Sequence, residues 1–174
     1  MSPKATQAIT ASPDFRMMVQ IDMEMANFNS NWTHCDCIAT YVARTISHNR
    51  PDSVLFSNLF SSALNELLEI TFRTRHTGGT LGCKISRQGN IDRVALTFTC
   101  REDERRFFEH AVARIPGGDR EADYLSSLSG DVGPSRDMLL LELAVSYNAA
   151  INLEVHDDDT ITLVVDLPLG GLTH

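Results

Sequence analysis

The sequence predicts an α+β fold: a two-layer α/β sandwich in which a mostly antiparallel sheet is covered by helices on one face. Three observations lead there. Apolar residues alternate with period two in short segments that fall into hairpin pairs. Longer segments between those pairs carry apolar residues at helical spacing. At 174 residues the chain is long enough for one domain with a substantial core. The predicted order is β-α-α-β-β-α-(α)-α-β-β, and a chain so ordered buries one sheet face under its long helices.

Residues 1–14 are polar and are expected to form a flexible N-terminal arm ahead of a single domain over 15–170. Val19, Ile21, Met23 and Met25 alternate with Gln20, Asp22 and Glu24, the pattern of a half-exposed strand over 17–25. Residues 27–31 read as a turn-rich loop. Thr33 stands where it can cap a helix running to about His48, with Ile38, Tyr41, Val42 and Ile46 at helical spacing. Pro51 suits the first turn of a second helix reaching about Arg73, whose broad apolar face is Val54, Leu55, Leu59, Ala63, Leu64, Leu67 and Leu68.

Gly78-Gly79 closes that connection. Strands over 80–86 and 91–99 flank Gln88-Gly89-Asn90, a hairpin turn. Residues 102–115 form a charged amphipathic helix striped by Phe107, Phe108, Ala111, Val112 and Ile115, and Pro116-Gly117-Gly118 breaks it. A short helix over 119–128 and a loop over 129–133 follow. Pro134 opens a helix to about Ala150 that buries Leu139, Leu140, Leu143 and Ala144. Strands over 151–155 and 160–167 make the last hairpin across His156-Asp157-Asp158-Asp159.

Composition excludes several classes. The net charge of −8 and pI near 5.1 give no basic footprint for nucleic acid and no polybasic membrane contact. No apolar run is long enough to span a bilayer, and the N-terminal residues lack a signal-peptide core, so a cytoplasmic location is expected. Cys35, Cys37, Cys83 and Cys100 are then expected as free thiols. Cys35 and Cys37 have no second Cys/His pair nearby, so no metal site is expected. Asp157-Asp158-Asp159 lacks the spaced ligands of a calcium loop. His76 and His110 have no local catalytic partner, and no P-loop, nucleophile elbow or His-Glu-x-x-His run is present.

One segment carries a family signal. Asn65-Glu66-Leu67-Leu68-Glu69 on the second long helix is similar to the "NELLEN" asparagine box of the GHKL ATPases, the superfamily of histidine kinases and anti-sigma-factor kinases. Gly130-Asp131-Val132-Gly133-Pro134-Ser135 looks like a worn second glycine box, and Val164-Val165-Asp166-Leu167-Pro168-Leu169 resembles the closing strand of histidine-kinase catalytic domains. With Trp32 and Ala39-Thr40-Tyr41 ahead of the box, residues 16–170 resemble the small stand-alone bacterial GHKL-like regulators, including the SiaB-type proteins of partner-switching systems.

The resemblance implies a nucleotide pocket, and the residues depart from it. Where the family carries the Mg²⁺-holding asparagine stands Ile70, which has no oxygen for a hard cation. Glu66 stands one turn earlier, so both are expected to face the pocket. Arg73 matches the basic residue that often follows. The segment that should hold the first glycine box, Arg101-Glu102-Asp103-Glu104-Arg105, has no glycine; Asp103 or Glu102 is the candidate stand-in for the adenine-reading acid, and both also suit the first turn of a helix. Residues 116–134 take the place of the ATP lid, with Arg114, Arg120 and Arg136 as candidate phosphate contacts.

The candidate pocket residues are therefore Glu66, Arg73, Asp103, Gly130 and Gly133, with no bound cofactor expected. The expected function is a bacterial signalling regulator that works by protein–protein interaction on a degenerate nucleotide site. Its partner would be an anti-sigma-antagonist-like domain, a phosphatase or a response regulator. Homodimerisation is also expected, through apolar residues of 15–25. The alternative is an ATP-dependent serine/threonine protein kinase with Glu66 as its catalytic residue and ATP and Mg²⁺ as cofactors.

Overall fold

A computed structural model describes residues 14–115, 120–128 and 136–171. The order is β1 (Arg16–Glu24), α1 (Met25–Phe28), α2 (Thr33–Ser47), α3 (Ser53–Phe72), β2 (Thr80–Gln88), β3 (Ile91–Thr99), α4 (Glu102–Arg114), α5 (Arg120–Leu128), α6 (Arg136–Ser146), β4 (Ala150–Val155) and β5 (Thr160–Leu167). A short 3-10 turn, Leu169–Gly171, follows β5. The expected arm lies almost wholly outside the described residues.

The strands form one antiparallel sheet in the order β1-β2-β3-β5-β4. Alternation decides its faces. Val94, Leu96 and Phe98 of β3 and Ile161, Leu163, Val165 and Leu167 of β5 are buried. They pack with Phe56, Phe60, Leu64, Leu67 and Leu68 of α3 in one core. The intervening positions, such as Lys84, Arg93 and Thr97, lie on the other face.

Local chemistry accounts for the connections. Gly89 has φ +56°, the left-handed conformation that a two-residue hairpin loop with Asn90 demands. Gly79 has φ +77°, and a Cβ there would collide with Thr99. Its carbonyl accepts from Met25 N at 2.9 Å and so fixes the start of α1.

Several sequence expectations shift. Met25 leaves the strand and starts α1, where it is fully buried, because the turn expected at 27–31 begins with a helical turn. Thr33 lies inside α2; Trp32 is the N-cap and makes no side-chain cap. Pro51 sits in the turn before α3, behind an Asp52 N-cap. Val54 and Leu55, expected on the buried face of α3, are 74% and 49% exposed. Phe56 in the same turn is fully buried, so Val54 and Leu55 lie off the core face of the helix.

A buried ion pair fastens the β2–β3 hairpin to the helical layer. Arg87 Nε is 2.7 Å from Asp92 Oδ1, and Asp92 is 1% exposed. Arg87 also donates to the Ile46 carbonyl at the end of α2, and it faces the Phe56 ring, with Arg50 nearer the same ring at 4.1 Å.

Candidate functional site

The asparagine-box segment occupies the second half of α3. Asn65 Nδ2 donates to Glu69 Oε1 at 3.0 Å, an i,i+4 bond along the helix surface. Ile70 is fully buried in the core. Glu66 and Ile70 were expected to face one pocket together, and they do not: Ile70 turns into apolar packing while Glu66 stays half-buried at the border with α6. The apolar side chain follows the core face of α3, and the carboxylate lies at its edge.

Glu66 is held from the end of α6. Tyr147 donates its hydroxyl to Glu66 Oε1 at 3.3 Å, and Oε2 is buried without a hydrogen-bond partner. Burial, then the Glu142 carboxylate, pushes the Glu66 carboxyl up to about 7, although the Tyr147 bond acts the other way. Burial together with Glu66 pushes the Tyr147 phenol up to about 12. Tyr124 on α5 hydrogen-bonds Glu142. Three helices thus meet around the Glu66 and Glu142 carboxyls.

A second contact fastens the opposite end of α6. Glu104 in the first turn of α4 is buried and pairs with Arg136 at the start of α6. Arg136 also lies over the Phe107 ring at 4.3 Å, and Arg101 approaches Glu104 at 3.6 Å. Arg114 pairs with Asp137 at 3.6 Å. Two of the three candidate phosphate contacts are therefore engaged by acidic side chains of the protein itself. The side chain of Arg120 is outside the described residues.

The other candidates sit apart from Glu66 in burial and partners. Arg73 is the exposed C-cap of α3. Asp103 is exposed and pairs with Arg101 at 3.3 Å, in the first turn of α4 where its charge suits the helix dipole. Gly130 and Gly133 lie outside the described residues. A cleft of about 220 Å³ runs between α4 and α6, lined by Ala111, Arg114, Ile115, Asp137, Met138 and Leu141. That is below the ~300–1,000 Å³ usual for ligand pockets.

Sequence reasoning missed Glu104, Glu142 and Tyr147. Two signals were present. Glu104 precedes Phe108, Ala111 and Ile115 at helical spacing, which puts it on the buried stripe of α4. Tyr147 follows Leu140 and Leu143 in the same way on α6. All four cysteines are free, with Cys35 buried and Cys37 exposed. Among the described residues, no group of three or more His, Cys, Asp or Glu is placed to hold a metal, and no helix is long and apolar enough to cross a membrane.

No protein-family model matches the sequence, and no curated protein does either. A chain in the crystal structure of the SiaB–SiaC complex from Pseudomonas aeruginosa is similar in fold, with TM-score 0.54 and 15% identity over 87% of this chain and 90% of that one. The likeness extends over nearly the whole of both chains, so it is one of architecture and not of a single motif.

Proposed function

We propose that this chain is a bacterial signalling regulator on a GHKL-like fold that acts in the cytoplasm by binding a protein partner, with its nucleotide site degenerate. The observation that carries the reading is the pairing of a core-buried Ile70 with a Glu66 already engaged by Tyr147. A hard cation needs several oxygen ligands, and these two positions offer one half-buried carboxyl and a sec-butyl side chain. They do not fit Mg²⁺. The fold similarity to a chain of the SiaB–SiaC complex supports a protein partner, which we take to be an anti-sigma-antagonist-like domain, a phosphatase or a response regulator.

Calorimetric titration with ATP and Mg²⁺ tests the degenerate site: the expected result is no saturable heat, and binding at micromolar affinity or tighter overturns the reading. Co-elution with purified anti-sigma-antagonist-like domains tests the partner.

One observation favours a second reading, an ATP-dependent serine/threonine kinase. A carboxyl held near 7 by burial is poised as a general base at neutral pH. This reading requires ATP binding and loss of phosphotransfer in Glu66→Gln.

A further inference from the structure

The outer face of α2 carries exposed groups that the rest of the chain does not use. Tyr41 is 62% exposed, and the N-cap Trp32 is 54% exposed. Cys37, Arg44 and His48 follow on the same exposed stripe, and Asp36 flanks it. Two open clefts, of about 740 and 440 Å³, run along α2 and the start of α3 and share Arg44 and His48. Beside them, Val54 and Leu55 expose apolar surface. Neither the Asp36 carboxylate nor the Arg44 guanidinium has an ion-pair partner among the described residues, although most arginines elsewhere in the fold are paired.

The charge arrangement identifies an occupant. Asp36 and Arg44 are eight residues apart, which places opposite charges about 12 Å apart along one helix, on either side of Thr40 and Tyr41. A two-fold axis crossing α2 at Thr40 runs the helix antiparallel to its own copy. Asp36 of each copy then comes level with Arg44 of the other, and the two Tyr41 rings come side by side. His48 comes level with Trp32 of the second copy. Isologous contacts of this kind need a self-complementary patch, and this one is self-complementary in both charge and apolar content.

Residues 32–65 contain two arginines, two aspartates and no other Asp, Glu or Lys, so this surface is electrically neutral in a chain of net charge −8. A second copy meets less like-charge repulsion here than over the acidic remainder, whereas a strongly charged partner finds no matching field. We infer that the exposed face of α2, in place of the 15–25 segment whose Val19, Ile21 and Met23 pack against the core, is a homodimer interface, built on reciprocal Asp36–Arg44 pairs around Tyr41.

Sedimentation equilibrium of the full chain tests this. The expected species is a dimer of the 19.3 kDa chain. Asp36→Arg and Arg44→Asp should each weaken association by about tenfold or more, since each replaces two opposite-charge pairs by two like-charge pairs. The double variant Asp36→Arg/Arg44→Asp restores complementarity and should return to wild-type affinity. Both residues are on the helix surface, and circular dichroism verifies that the variants stay folded. A monomeric wild type at high micromolar concentration overturns the proposal. So does a dimer insensitive to both single variants, or a double variant no tighter than the singles.

Discussion

The Tyr147 hydroxyl donates to Glu66 Oε1 at 3.3 Å and so ties the end of α6 to the middle of α3 across 81 residues of sequence. Glu66 Oε2 is meanwhile buried without a partner. This single bond is what the half-buried carboxyl receives from the protein, and its energetics are open to direct measurement.

Tyr147→Phe removes the donor and leaves both Glu66 oxygens without a side-chain partner. Stability should fall by about 1–2 kcal/mol at pH 8, where the carboxylate is charged, and by less at pH 5, where it is neutral. Urea denaturation at the two pH values measures the difference. An equal loss at both pH values refutes the role assigned to the bond.

The raised Glu66 carboxyl also sets a pH dependence. Its ordinary value is 4.5 and its folded value about 7, so between these the folded state holds a proton that the unfolded state has released. Stability therefore falls as pH rises through that window and levels off above it. For a half-exposed group the contribution is at most about 1–2 kcal/mol after solvent screening. Glu66→Gln should flatten that part of the stability–pH curve. A wild-type slope retained in the variant assigns the effect elsewhere.

Ile70→Asn separates the two readings of α3. An amide placed in the fully buried Ile70 position loses apolar packing and finds no designed partner, which costs about 3 kcal/mol. Thermal unfolding should show this loss, and added ATP and Mg²⁺ should not rescue it. A stable variant with new Mg²⁺-dependent ATP binding would instead mean that the position opens to a nucleotide pocket.

Among the ion pairs of the described residues, Arg87–Asp92 has the most deeply buried carboxylate. Burial pushes the Asp92 carboxyl up, and Arg87 opposes that shift. Arg87→Met strands Asp92 at 1% exposure and should cost about 3–5 kcal/mol. Arg87→Met combined with Asp92→Leu removes both charges and should recover most of that loss. Chemical denaturation of the two variants decides whether the pair or the packing dominates.

Periodicity made the architecture legible. The expected strand over 91–99 matches β3, the expected strand over 160–167 matches β5, and the expected helix over 102–115 differs from α4 by one residue at its end. Alternation and helical spacing report which face a residue buries, and burial is the largest local force. Boundaries that depend on capping were less legible. Thr33 has the chemistry of a cap, but Asn31 supplies a side-chain oxygen to the Thr33 N–H, and the helix starts one residue early.

The candidate site divides in the same way. By itself the sequence determined the absence of an oxygen donor at position 70, the missing glycines between Arg101 and Arg105, and the α+β order, because these depend only on residue type and spacing. Tertiary structure alone decided that Ile70 joins the core while Glu66 remains at its edge. It also brought Tyr147 to Glu66 and Arg136 to Glu104. Those contacts join helices 81 and 32 residues apart, and no local pattern encodes which of several polar side chains will meet once the sheet has fixed the helix positions.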